Sequence, residues 1–170
     1  MKINNYYMTF VIFVFIQILI CNYVNLSPLI TISILPVIIL CLPVECSGIL
    51  TMVLAFVSGL AVDYLADGLL GLNALALVPA AFLRRRILAM IFGNGLFARN
   101  ENLSCHKHGI GRISLALVMV QSIFLTIYII ADGAGMRPFS FNLLRFVTSL
   151  LAGGLVSIAL LSLLANNNKS

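Results

Sequence analysis

Ser58-Gly-Leu-Ala-Val-Asp-Tyr-Leu-Ala-Asp-Gly-Leu-Leu-Gly-Leu-Asn-Ala-Leu-Ala-Leu77 is the stretch on which the reading of this chain turns. An apolar run precedes it, a second runs on from its end, and Arg84-Arg85-Arg86 closes that second run. Six positions stand out: Gly59, Asp63, Asp67, Gly71, Asn73 and Ala74. The chain holds five acidic residues, and two of them, Asp63 and Asp67, are here. A carboxylate between two membrane-length runs is expensive in hydrocarbon, so each needs a partner, a cavity or an interface edge.

Composition sets the class. Of 170 residues, 62% are hydrophobic and 9% charged, with a mean hydropathy of +1.14. A soluble domain carries about 25% charged residues, and one of this size could not bury so much apolar surface. Continuous apolar runs, rather than short alternating ones, favour helices over a membrane β-barrel. The expectation is one all-α, polytopic membrane domain. The net charge of +5 comes from basic residues between runs and at the ends, with no basic face interleaved with aromatics, so nucleic acid is not an expected partner. Cys21, Cys41, Cys46 and Cys105 form no Cys-x-x-Cys pair and suggest no disulfide framework.

Working outward, the chain divides into six apolar spans, at approximately 6–23, 28–42, 46–62, 69–83, 113–131 and 142–165. The first could be a secretory signal, but Leu19-Ile20-Cys21 offers no small residues for cleavage, so an uncleaved helix is expected. Pro36 lies mid-run in the second span and Pro79 in the fourth, and both are expected to kink their helices. The fourth span is short, about 22 Å long against a hydrocarbon core of about 30 Å. Segment 87–97 either extends that helix or lies along the interface, as part of a cytoplasmic link over 84–112. Ala55 and Gly59, and Ser149, Gly153 and Ser157, form small-residue stripes that let neighbouring backbones approach.

Six crossings put both termini on one side. If that side is the cytoplasm, Lys2, Arg84, Arg85, Arg86, Arg99, Lys107, Arg112 and Lys169 are inside, and only Arg137 and Arg145 fall toward the outside. This is a strong positive-inside bias. Asp63, Asp67, Asn73, Asn142 and Arg145 then lie at similar depth near the outer surface, with Gln17 also nearby. They could form one polar cluster in which Arg145 neutralises Asp63 or Asp67, or each could reach the headgroups separately. Arg84, Arg85 and Arg86 read as a cytoplasmic contact for lipid headgroups or for a partner protein.

Two motifs raise metal chemistry. Cys105-His106-Lys107-His108 offers three donors in four residues, but the lysine repels a cation and no fourth ligand is near, so a solvated loop is the better reading. Gly59-x-x-x-Asp63-x-x-x-Asp67 is similar to half of the metal-binding signature of the CDP-alcohol phosphotransferases. The upstream Asp-x-x-Asp half of that signature is missing: residues 40–55 contain no Asp and no Arg. No phosphate loop or nucleophile elbow is present. Catalysis, a metal and a cofactor are therefore not expected.

The turn itself resembles that of the rod shape-determining protein MreD family. The matching residues are Gly59-Leu-Ala-Val-Asp63, then Asp67-Gly68-Leu-Leu-Gly71-Leu-Asn73-Ala74, followed downstream by Arg84 to Arg86. The specific part covers about 20 residues, while length and the six runs agree over the whole chain. The resemblance implies a non-enzymatic, multi-pass subunit of the bacterial cytoplasmic membrane that regulates cell shape by organising peptidoglycan synthesis. Implied partners are an MreC-type membrane protein, the MreB filament, RodA and a class B penicillin-binding protein, besides membrane lipids. It also implies a fold like the substrate-binding subunits of energy-coupling-factor vitamin transporters, which supplies an alternative function. The first span, Phe10 to Ile18, has none of the small residues by which those subunits dock on their energising partner.

Overall fold

The computed structural model describes residues 2–23, 30–67, 70–93, 109–133 and 136–167, with backbone alone described for 2–7, 67, 110 and 161–167. Those residues are helical throughout apart from short links. Helix α1 is Lys2–Tyr23, α2 Leu35–Cys41, α3 Gly48–Val62, α4 Leu72–Phe92, α5 Ile110–Gly133 and α6 Phe139–Asn167. A π-helical turn, Asp63–Asp67, continues α3.

Among the described residues, three helical stretches are long and apolar enough to cross a bilayer: Gly48–Ala66, Gly111–Gly133 and Phe139–Leu160. This is the composition and length of a membrane protein. Rows of large apolar side chains face outward from the bundle, including Val11 and Phe15 on α1, Ile49, Val53 and Phe56 on α3, and Leu151 and Leu155 on α6. Water would not tolerate so much contiguous apolar surface, whereas lipid chains would.

The second apolar run departs from the expected kinked span. Residues 31–34 lie outside any helix, and α2 is a seven-residue helix about 10 Å long. Pro36 sits in its first turn, where the missing N–H has no helical partner to lose, so the proline starts a helix instead of bending one. Leu35, Val37, Ile38, Ile39 and Leu40 are all buried. A helix apolar on every side belongs in a core, and α2 packs against α1, α3, α4 and α5.

Helix α4 also exceeds its expected span. It continues through Pro79 and the three arginines to Phe92, so residues 87–92 extend the helix rather than turning along a surface. Ala74, Ala76, Ala80 and Ala81 give it a thin buried face, and α3 and α5 pack against it. Phe124 of α5 is fully buried and stacks on Tyr128 with ring centroids 5.7 Å apart. The Ser149, Gly153 and Ser157 stripe of α6 is buried as expected.

Candidate functional site: a joint, a non-helical segment and a buried arginine

Helix α4 begins at Gly71, whose φ of 97° is left-handed and whose missing side chain cannot cap the helix. Asp63 supplies the cap from the neighbouring helix. One carboxylate oxygen accepts from the Asn73 backbone N–H at 2.9 Å and from its side-chain amide at 2.9 Å. The other accepts from the N–H groups of Gly71 at 3.0 Å and Ala74 at 3.3 Å. Asp63 is completely buried, so this negative charge is held by four donors and by the positive end of the α4 dipole. Gly59, one turn earlier on α3, makes the approach possible. A Cβ added there would lie 2.5 Å from the Ala74 Cα and 2.6 Å from its N.

Five of the six residues singled out in the opening stretch therefore meet in one joint between α3 and α4. The side chain of the sixth, Asp67, lies outside the described residues. This corrects the expected neutralisation of Asp63 by Arg145: donors on α4 occupy both Asp63 oxygens, and the arginine is paired elsewhere. The same occupancy leaves Asp63 no free lone pairs to offer a cation. Among the described residues no group of three or more His, Cys, Asp or Glu side chains comes together. Cys105, His106 and His108 lie outside the described residues.

Arg145, on α6, is buried and ion-pairs with Asp132 near the C-terminal end of α5. Arg137 reaches the same Asp132 oxygen at 2.7 Å from the exposed side. Arg145 also donates to the Thr31 hydroxyl, at 3.0 Å from Nη2 and 3.3 Å from Nε, and its guanidinium lies 5.9 Å from the Tyr128 ring centroid. Asn142 stands one turn before it, half-buried, beside Gly133, with its Oδ1 unpartnered. Of the expected outer cluster, the described side chains fall into two groups. Asp63 and Asn73 hold α4 to α3, while Arg145 and Asp132 hold α6 to α5 and to the non-helical segment 31–34.

The non-helical segment 31–34 has backbone groups with no helix to satisfy them. Buried unpaired peptide groups are costly, and non-helical backbone at membrane depth survives only where protein supplies the partners. Here three side chains do so: Gln17, Gln121 and Ser149. Gln17 of α1 accepts from the Ile34 N–H at 2.7 Å and donates to the Ile32 carbonyl at 3.2 Å. Gln121 of α5 donates to the Ser33 carbonyl at 3.2 Å. Ser149 of α6 accepts from the Thr31 N–H at 2.9 Å, and Arg145 takes the Thr31 hydroxyl. Gly153 makes room for the Gln121 amide, since a Cβ there would lie 2.8 Å from its Nε2. Three helices therefore read one another through residues 31–34. Gln17 and Gln121 stand out in sequence as polar residues in apolar runs, but nothing in the runs says that both point at one broken segment.

Loss of the Asp132 carboxylate would leave two guanidiniums sharing no anion, one of them buried. Asp132→Asn is expected to destabilise the chain by about 3 kcal/mol and to free Thr31. Amide exchange in detergent should speed up over Thr31–Ile34 while the α3–α4 joint stays protected. Unchanged exchange there would show that the ion pair does not hold the segment.

The arginine triplet divides as well. Arg84 is buried, and its Nη2 donates to the Leu40 carbonyl at 3.3 Å and also to the Leu42 carbonyl. It thereby satisfies orphan carbonyls at the C-terminal end of α2, where a cation is favoured. Arg85 and Arg86 are exposed, with Arg86 lying 5.9 Å from the Phe82 ring centroid. Arg84, expected like its neighbours to meet lipid or a partner, braces α2 instead, while successive helical residues about 100° apart leave Arg85 and Arg86 exposed. The described side chains form a cross-braced scaffold. In comparisons with known proteins, no family model, no curated protein and no solved structure matches this chain.

Proposed function

We propose that this chain is a non-enzymatic membrane subunit that organises bacterial cell-wall elongation through protein contacts, in the manner of the MreD family it resembles. One observation carries the reading. The residues of the resemblance whose side chains are described, Gly59, Asp63, Gly71, Asn73 and Ala74, act together as a joint that sets α4 against α3. A motif explained by holding a fold calls for no reaction to account for it. The outward apolar faces of α1, α3 and α6 are surfaces on which lipid and partner helices pack. In this reading the chain crosses the cytoplasmic membrane several times with both termini inside. Its partners are an MreC-type protein, the MreB filament, RodA and a class B penicillin-binding protein.

Co-purification of the native chain in mild detergent tests the proposal. Wall-synthesis proteins are the expected companions, and depletion of the chain should turn rods into rounded cells. Recovery of an ATP-hydrolysing transport module in their place would replace the proposal with the vitamin-transporter alternative.

A further inference from the structure

A cavity of about 600 Å³ opens where the α2–α3 turn meets α4. Its lining includes the apolar residues Val44, Ala81 and Phe82 and the arginines Arg84, Arg85 and Arg86. Gly48, the first residue of α3, lies on the cavity, and a Cβ placed there would meet nothing within 4 Å. Three independent sources of positive potential thus meet on one space. The N-terminus of a 15-residue helix is there, with its Ser47 cap accepting from Leu50 and no acidic residue in its first turn. Exposed Arg85 and Arg86 line the cavity. Arg84 lines it too and is buried, with its Nε unpartnered. Glu45 is exposed and does not line the cavity.

Helix N-termini and arginine forks recognise oxyanions, phosphate and carboxylate among them, and in a membrane the abundant one is the phospholipid phosphate. The volume lies within the range of small-molecule sites, about 300–1,000 Å³, well beyond what an inorganic anion needs. The apolar lining residues would lie along a hydrocarbon stem. We propose that this cavity binds a phosphate group, delivered on an anionic phospholipid whose first methylenes lie against Val44, Ala81 and Phe82. Arg84 braces α2 and adds its charge to the lining, while Arg85 and Arg86 grip the phosphate. The site is independent of the cell-elongation role: a lipid held here would fix the depth of α4 whatever the chain assembles with.

The test uses the full chain, delipidated in detergent, with bound lipid counted by native mass spectrometry. It is titrated with phosphatidylglycerol, with phosphatidylcholine of the same acyl chains, and with inorganic phosphate. Phosphatidylglycerol is expected to bind about tenfold more tightly than phosphatidylcholine and to weaken with added salt. Gly48→Leu fills the cavity without strain, and the double substitution Arg85→Gln with Arg86→Gln removes the grip. Each should weaken phosphatidylglycerol binding about tenfold and leave phosphatidylcholine binding as it was. Inorganic phosphate binding as tightly as phosphatidylglycerol would keep the phosphate site and discard the lipid. Equal binding of both lipids, unaffected by either variant, would overturn the site.

Discussion

Asp63→Ala is expected to unfasten α4 from α3. It removes one buried carboxylate and strands four donors: the N–H groups of Gly71, Asn73 and Ala74, and the Asn73 amide. An orphaned buried donor costs about 1–3 kcal/mol, and these four share one partner, so a joint loss of about 3–5 kcal/mol is reasonable. Thermal unfolding in detergent should show a melting temperature lower by about 10 °C. Insertion should survive, because apolar length and flanking basic residues direct it rather than this cap. In cells, rod shape or complex assembly should suffer. Asp63→Asn keeps one acceptor oxygen but turns an amide toward the N–H groups, and should fall between the two. A melting temperature within about 2 °C of the parent for Asp63→Ala would show that α4 is held by packing alone.

Gly59→Ala should be nearly as damaging for a different reason. The new methyl would meet backbone, not a movable side chain: the Ala74 Cα at 2.5 Å, its N at 2.6 Å and the Asn73 carbonyl carbon at 3.0 Å. Relief requires α3 and α4 to part by about 1 Å, which is enough to forfeit much of the dispersion along their contact. Overpacking of this kind costs about 1–3 kcal/mol, and the separation also lengthens the Asp63 hydrogen bonds. Gly154→Ala on α6 is the control, since a Cβ there meets nothing within 4 Å, and it should be neutral or slightly stabilising. The two joint substitutions should combine less than additively, because either one alone opens the same contact. Full additivity in a double-mutant cycle would mean that Gly59 and Asp63 act independently.

The opening stretch was legible as the organising feature, but its chemistry was not. Scarce carboxylates near apolar runs had to be satisfied, and Asp63 is. Its partners are backbone N–H groups of the next helix, which every sequence possesses and none advertises. Arg145 was recognisable as a cation needing an anion. Asp132 stands 13 residues before it, across the turn between α5 and α6, and only the packing of those helices ranks it above Asp63. Pro36 was misleading because an apolar run looks alike whether it is one helix or a non-helical stretch followed by a short helix. Arg84 was indistinguishable from its neighbours until α4 was seen to continue past it.

Hydropathy and charge placement, which are sums over residues, determined by themselves that this chain is helical and suited to a membrane. They also marked the Gly59–Ala74 turn as special, because a buried charge is costly in any arrangement of the helices. Tertiary structure alone decided which donor meets which acceptor. Gln17, Gln121, Ser149 and Arg145 come from three different helices, yet all converge on residues 31–34. A hydrogen bond acts over about 3 Å, so its partner is set by where the helices lie and not by distance along the chain.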